Sequence, residues 1–419
     1  MTIDVLRTSG IWLMAALSCV ASLYVLVAAL AMPSLGSRAK VRATTYANSP
    51  SPVSVLKPLC GAEPQLFENL ATFCEQDHPR FQLIFGVASP VDAAIKVVDR
   101  LQRIYPSHQI DLIVDPRIHG ANRKVSNLIN MVSRARYDIL VLADSDIAVS
   151  RDYLRVVTAP MNDCARYVGV VTCLYRARGI AGLWSRIGAM FINAWFVPSV
   201  RVAHTVGSRS FGFGSTLAFH KLTLARIGGF EALKDCLADD FMLAKYARDH
   251  GLNTVLSPLL VTTDVIEWSF EDLWNREIRW LRTIRSVNPA GFASLFVTFT
   301  SPWLILSLLF LEGSRLHIAM MLSPSHAALV AFTISTVVGA MARLLLHARG
   351  CWGLKDFISD LPLIPLRDML LALQWLGASV GSQVHWRGRR VPVANPYPAE
   401  SPRDRSRCNA SHAPTLDDA

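Results

Sequence analysis

The chain carries no CxxC pair and no Cys/His cluster at zinc spacing, which removes zinc modules and dithiol redox motifs from consideration. Its eight cysteines, Cys19, Cys60, Cys74, Cys164, Cys173, Cys236, Cys351 and Cys408, are scattered. That usage reads as mostly reduced, buried thiols in a cytoplasmic domain. A dense Lys/Arg tract is missing, and so is any nucleic-acid-binding motif. The formal net charge of +10 therefore suits anionic lipid or a phosphorylated small molecule better than nucleic acid. Charge itself is scarce: 18% of residues are charged and 52% are hydrophobic, a balance that points to membrane segments. Between residues 51 and 285 no apolar run is long enough to span a bilayer, so those segments are expected at the two ends of a water-soluble unit.

Ile11–Met32 is an unbroken apolar segment of about 20 residues, the length that crosses a bilayer. A secretory signal would have a shorter apolar core and then a small-residue cleavage site. The segment therefore reads as a retained anchor within an N-terminal region, residues 1–45. Arg38, Lys40 and Arg42 follow it and place that end in the cytoplasm. A C-terminal membrane region, residues 286–390, holds two further expected spans, 292–311 and 327–346. Arg343 lies near the cytoplasmic end of the second, where it can snorkel. Residues 361–384 are apolar but hold Pro362, Pro365, Arg367 and Asp368, and charges in mid-bilayer are costly. Three spans already return the chain to the cytoplasm, where HWRGRR at 385–390 belongs. The region 361–384 thus reads as re-entrant or interfacial rather than crossing. The polar tail, 398–419, reads as disordered.

The intervening unit, residues 51–285, alternates strand-like and helix-like stretches. VSVLK (53–57), FQLIFGV (81–87), QIDLIV (109–114) and YDILVLA (137–143) read as strands. Helical patterns fall between them at 64–75, 92–105 and 124–134. This implies βαβ units, an α/β class and a mostly parallel sheet, with ligands bound beyond the carboxyl ends of the strands. The last strand runs into VLADSD, where Asp144 and Asp146 follow a buried-looking stretch. Strand alternation would send both carboxylates into one crevice. Two like charges there are costly unless compensated, and carboxylate oxygens suit Mg²⁺ or Mn²⁺. The plainer reading is a solvated acidic turn.

Further stretches follow in a fixed order: Asp92 after GVASPV, Asp144 in ADSD, Asp240 in LADDFMLAK, and REIRW at 276–280. VSVLKPLCG at the start, NRKVSNL at 122–128 and WRGRR near the end accompany them. In this order and spacing the chain resembles the GT-A glycosyltransferases of the family 2 type. It is most similar to the ceramide glucosyltransferase family, family 21, and to its bacterial relatives, which include the glycosyltransferase of hopanoid biosynthesis. The resemblance runs from about residue 51 to 390. It implies a GT-A domain with transmembrane helices at both ends. It also implies an inverting transfer of one sugar from a UDP-sugar to a membrane-lipid hydroxyl, with catalysis on the cytoplasmic face of a bacterial inner membrane.

Residue by residue, the resemblance places Asp144 and Asp146 on an Mg²⁺ or Mn²⁺ ion, with Asp144 also facing the ribose. Asp92, Lys124 and Lys57 join Asp144 on the UDP-sugar. Asp240 becomes the general base, with Asp239 beside it as the confounding neighbour. Helix-cap roles for Asp92 and Asp240 remain open, as does a solvated helix-start role for Lys124. Arg276, Arg279 and Trp280 stand at i, i+3 and i+4, so they share one helix face. The resemblance makes them catalytic, through phosphate grip and sugar stacking. A basic helix hugging anionic lipid is the alternative, and Arg282 and Arg285 are expected to serve that purpose.

The stretch 182–200 is aromatic and apolar but is interrupted by Arg186 and Asn193. It is expected as an interfacial helix near the acceptor, with ordinary core as the alternative. Trp195 stands where animal members have His, and Gly214 and Ser215 belong to the acceptor-side segment. The complete DSD, the missing His and the Arg-rich tail favour GlcNAc transfer to the hopanoid bacteriohopanetetrol over glucose transfer to ceramide. A processive synthase or a transporter would need more spans, and a catalytically inactive membrane adaptor would have no use for the retained carboxylates.

Overall fold

The computed structural model describes residues 2–32, 50–162, 167–315, 326–386 and 389–393. Cys164, Cys408, Arg38, Lys40, Arg42 and the tail 398–419 lie outside them. A long helix, α1 (Thr2–Ala31), precedes the expected alternation of β1 (Val53–Pro58), α2 (Leu66–Cys74), β2 (Phe81–Val87), α3 (Ala94–Ile104), β3 (Gln109–Val114), α4 (Arg123–Val132) and β4 (Ile139–Leu142). A less regular half follows: β5 (Ile147–Ala148), α5 (Tyr153–Thr158), β6 (Val168–Gly179), α6 (Leu183–Phe191), α7 (Val197–Thr205), β7 (Leu217–His220), α8 (Lys221–Arg226), α9 (Asp239–Asp249), β8 (Asn253–Val265) and α10 (Phe270–Val287). The chain continues through α11 (Pro289–Ser294), α12 (Thr300–Arg315), α13 (His326–Gly350), α14 (Leu354–Asp360), α15 (Leu363–Ser379) and a hairpin of β9 (Gln383–Trp386) and β10 (Arg389–Pro392).

The sheet has eight strands in the order β3-β2-β1-β4-β7-β6-β8-β5. The first four are mutually parallel, as the βαβ pattern requires. β7 runs antiparallel to both β4 and β6, β6 and β8 are parallel, and β5 closes the edge antiparallel to β8. Register decides what the sheet presents at its carboxyl edge. Leu56 of β1 and Leu217 of β7 both pair with Leu142, the last residue of β4. Ile147 pairs with Thr263. The residues just past β1 and β4, just before β7 and inside β8 therefore converge. The central strand β1 is buried at all six positions, as a parallel strand covered on both faces should be.

A second apolar cluster lies between this unit and the membrane-side helices. It joins Val25, Ala28 and Ala29 of α1 to Phe191, Ile192 and Trp195, to Ile278 and Leu281 of α10, and to Leu346 and Leu371. Ala189, Phe191, Ile192, Trp195 and Val197 of the stretch 182–200 belong to this core, which favours the ordinary-core reading over the interfacial one for that half. Arg186 pairs with Asp360. Asn193 brackets Ala177 with two hydrogen bonds of 2.8 Å, so both polar interruptions are satisfied inside the protein.

Among the described residues two stretches, Ser9–Ala31 and Val330–Gly350, are each long and apolar enough to cross a membrane. The expected straight span 292–311 is instead a pair, Pro289–Thr298 and Thr300–Leu309, bent by 47°. Arg343 does not snorkel. It is 5% exposed and bonds the Asp368 carboxylate at 2.8 and 3.0 Å. Arg282 and Arg285 are not lipid-facing either. They donate to the carbonyls of Gly377, Ala378, Val380 and Gly381, the negative end of α15, where cations are favoured.

Candidate active site

The convergent edge carries a cluster of carboxylates, and each is held by a nameable feature of the local fold. β4 stops at Leu142, and residues 145–146 form a turn before β5. Asp144 and Asp146 are thus brought together by this turn rather than by strand alternation. Asp144 donates its N–H to Gly214 O at 3.1 Å, and Gly214 donates its own N–H to Asp240 Oδ2 at 2.8 Å. One residue, through its C=O on one side and its N–H on the other, therefore links Asp144 to Asp240. A side chain at 214 would collide: a Cβ there would stand 2.6 Å from Asp144 Oδ2 and 3.2 Å from Lys124 Nζ.

Two lysines counter the negative charge. Lys124, in the first turn of α4, places Nζ 2.6 Å from Asp144 Oδ1 and 3.4 Å from Asp239 Oδ2. Its helix is started by Asn122, which accepts from Val125 N at 3.1 Å and donates to Asp239 Oδ1 at 3.2 Å. Burial works against the Lys124 charge, but Asp144, Asp239 and Asp240 outweigh it and raise its pKa. Lys57 is fully buried at the end of β1, donates to Asp144 O at 2.8 Å and lies 3.6 Å from the centre of the Phe73 ring. Burial pulls its pKa down to about 7, opposed by Asp146, Asp144 and Glu63.

The carboxylates respond as crowded, desolvated acids do. Burial first, then the charge of Asp144, pushes Asp146 up to about 7, although Thr263 Oγ1 donates to its Oδ2 at 2.7 Å. Burial and Asp239 push Asp240 up to about 6, against Lys124 and the N–H of Phe241. That N–H, 2.8 Å from Asp240 Oδ1, belongs to the first turn of α9. Among the described residues no group of three or more His, Cys, Asp or Glu is arranged around an ion. Two carboxylates at a strand end nevertheless fit Mg²⁺ or Mn²⁺, since such ions commonly take one or two protein carboxylates and complete their shell with water and substrate phosphate. A divalent cation would also offset the repulsion that raises Asp146.

The remaining expected residues fall into two groups. Arg276, Arg279 and Trp280 do share a face of α10, a helix started by a capping box between Ser269 and Asp272. Trp280 packs edge-on against Tyr175, with ring centres 6.3 Å apart. Tyr175 in turn feels the charges of Asp240, Arg276, Asp146 and Asp144, so it stands between the acidic cluster and α10. Arg276 is held 2.7 Å from Glu267 and 3.5 Å from Glu277.

Asp92, Ser215 and Trp195 are committed elsewhere. Asp92 accepts from Gly61 N and from Ala94 N at the head of α3, both at 2.9 Å, while the N-cap position itself is Ala93. Ser215 donates to Cys173 O at 2.9 Å and is buried. Trp195 donates to Thr298 Oγ1 at 2.8 Å beside α1. The sequence reading missed Glu63, which accepts from Ser145 at 3.1 Å, and also Thr263, Tyr175 and Asn122. Only Asn122 had a local signal, as a helix N-cap.

The candidate site is thus a mixed α/β sheet edge that gathers a D-x-D pair and a further acid at a helix start, with an Arg/Trp helix behind Tyr175. Residues 10–396 match the glycosyl transferase family 21 model, and the chain belongs to that family. It is 26% identical over 237 residues to ceramide glucosyltransferase 1 of Caenorhabditis elegans, covering 57% of this chain and 50% of that protein. It is 34% identical over 101 residues to a ceramide glucosyltransferase of Komagataella phaffii, covering 23% and 20%. The chain thus spans about half the length of the first of these curated relatives. Among solved structures it is similar to the mannosyltransferase PcManGT from Pyrobaculum calidifontis in complex with GDP-Man and Mn²⁺, with a TM-score of 0.47 and 18% identity over 87% of this chain and 97% of that one.

Gly214→Ala must displace Asp144 or Lys124. A misplacement of this size costs about 100-fold in turnover. The expected outcome is that loss with the unfolding temperature nearly unchanged, read by a transfer assay beside a melting curve.

Proposed function

We propose that this protein transfers a single sugar from a UDP-sugar to the hydroxyl of a membrane lipid with inversion at the anomeric carbon. The observation that carries the proposal is the Asp144–Gly214–Asp240 linkage, which holds a donor-side acid and a candidate base on one backbone residue. Asp240 takes the acceptor proton as the new glycosidic C–O bond forms and the bond to the diphosphate breaks. Its pKa of about 6 suits a base working near neutrality. Lys124, Lys57 and Asp144 bind the nucleotide end. Asp92 acts at one remove, by fixing the loop at Gly61 from which Glu63 reaches Ser145. Arg276, Arg279 and Trp280 form the wall toward the diphosphate and the acceptor. Asp144 and Asp146 would hold Mg²⁺ or Mn²⁺, which supplies Lewis-acid stabilisation of the departing diphosphate.

Two donor–acceptor pairs fit. The complete DSD and the tryptophan at position 195 support GlcNAc transfer to bacteriohopanetetrol. The likeness to ceramide glucosyltransferases supports glucose transfer to ceramide. We place the reaction at the cytoplasmic leaflet of a bacterial inner membrane, with the lipid reaching the site from the helix α1 side. A catalytically inactive adaptor is disfavoured because buried, mutually repelling carboxylates are costly to keep.

The pair is decided by expressing the chain in a host that supplies both lipids and reading glycolipids by mass spectrometry, with Asp240→Asn as control. An N-acetylhexosaminyl hopanoid establishes the first pair and a hexosylceramide the second. A product that persists in Asp240→Asn contradicts the base assignment. The raised carboxyl of Asp240 loses its charge as pH falls through about 6, so log kcat should fall with unit slope below that value. A profile flat to pH 5 contradicts the assignment.

A further inference from the structure

We infer that residues 351–380 form an in-plane segment that stays on the catalytic unit's side of the membrane and sets an apolar stripe into that leaflet, with bilayer lipid as its partner. Both ends of the segment are tied to the same unit. At the first end, Arg176 of β6 donates to the carbonyls of Gly350 and Cys351 and lies 4.1 Å from the centre of the Trp352 ring. The Trp352 Nε1 donates to Ala177 O at 3.0 Å. Arg186 of α6 then holds Ser359 and Asp360. At the far end, Arg282 and Arg285 of α10 hold the carbonyls from Gly377 to Gly381. A segment with both ends bonded to one soluble unit does not leave the membrane on the opposite face. The 17 residues of α15 are also only about 25 Å long, short of the roughly 30 Å hydrocarbon core.

The polarity of α15 is inverted relative to a helix that faces water. Its inward side carries Arg367, 2% exposed and 2.8 Å from Glu277, Asp368 bonded to Arg343, and a fully buried Gln374. Its outward side carries Leu366, Met369, Leu373 and Leu376, between 40% and 57% exposed. Their 3-4-3 spacing makes one continuous stripe, and exposed Val380 follows just past the helix end. α14 adds Leu354 at 72% and Ile358 at 59%. Exposed apolar surface of this extent marks an interaction site.

Lipid, rather than a second copy, is the occupant because the stripe continues a lipid-suited surface. The apolar stretch of α13 ends at Gly350, the residue before this segment. Its exposed Val337, Met341 and Leu344 lie on the helix that the Arg343–Asp368 bond fastens to α15. The polar residues that made this region doubtful as a span are thus consumed inside the protein, and what remains outside is apolar.

The test uses full-length protein with single cysteines introduced after Cys19, Cys60, Cys164, Cys236 and Cys408 are each changed to Ser, which leaves Cys74, Cys173 and Cys351, all buried. Lys355→Cys, Ser382→Cys and Arg103→Cys on α3 report sidedness through a membrane-impermeant maleimide in oriented vesicles. Leu373→Cys carries a nitroxide for collision measurements with oxygen and a water-soluble nickel chelate. All three sidedness positions are expected to label from the same face. Leu373→Cys is expected to label about tenfold more slowly or less, with oxygen collisions dominant, as at an acyl-buried site. Labelling of positions 355 and 382 from opposite faces overturns the inference in favour of a crossing. Dominant collisions with the nickel chelate at 373 overturn it in favour of water. Dipolar broadening between labels at 373 overturns lipid as the occupant in favour of a second copy. None of these readouts depends on the reaction the protein catalyses.

Discussion

The constraint on which the rest depends is the crowding of Asp144, Asp146, Asp239 and Asp240 at one partly buried edge of a sheet. Left alone, these carboxylates would repel and would bind protons instead of substrate. Lys124 offsets part of the repulsion with its charge 2.6 Å from Asp144 and 3.4 Å from Asp239. Lys57 reaches in from β1 and grips the backbone carbonyl of Asp144. Compensation is incomplete at Asp146 and Asp240, where the pKa stays raised to about 7 and about 6. A site left short of positive charge is one that a cation will enter.

Sheet register delivers these groups to one place. β1 and β4 end together, and antiparallel β7 begins at the same level, so Lys57, Asp144 and Gly214 meet without any long loop. β5 pairs with β8 and brings Asp146 against Thr263. The second layer is set by α10, whose inner face gives Trp280 to Tyr175 and whose outer side is bonded to α15 through Glu277 and Arg367. Buried ion pairs of this kind contribute little net stability but fix geometry where both partners are present. Arg276 lies between Glu267 and Glu277, and Glu277 also pairs with Arg367 of α15, so the position of Arg276 is coupled to the membrane-side helices through Glu277.

The parallel half of the fold was legible because its signals are local. Continuous apolar runs at 81–87 and 109–114 are strands with those same bounds, and the helices between them shift by only one or two residues. Asp144, Asp240 and the REIRW helix were visible through their order in the chain. What could not be read depends on tertiary partners. Asn193 and Arg186 looked like polar breaks in an interfacial helix, yet each is satisfied by a strand or helix distant in sequence. Arg282, Arg285 and Arg343 looked lipid-facing because composition does not reveal the carbonyls and the carboxylate that hold them. Glu63 and Thr263 join the cluster only through strand register. The bend near Thr298 had a local cue in Thr300-Ser301-Pro302, a helix-restart signal that a span assigned by length alone passes over.

Proton linkage makes the carboxylate account measurable without any substrate turnover. A carboxyl raised in the folded state binds its proton more tightly there than in the unfolded chain, where aspartate titrates near 3.9. Its stabilising contribution is present at low pH and is lost as pH rises toward the folded value, about 7 for Asp146. The most direct measurement is therefore the unfolding temperature of the metal-free protein at pH 5.5 and pH 8, with and without Mn²⁺, beside Asp146→Asn. The account predicts that the wild type loses a few degrees more than the variant on going to pH 8, and that Mn²⁺ restores the loss in the wild type alone. Equal pH responses, or equal stabilisation of both proteins by Mn²⁺, would contradict it.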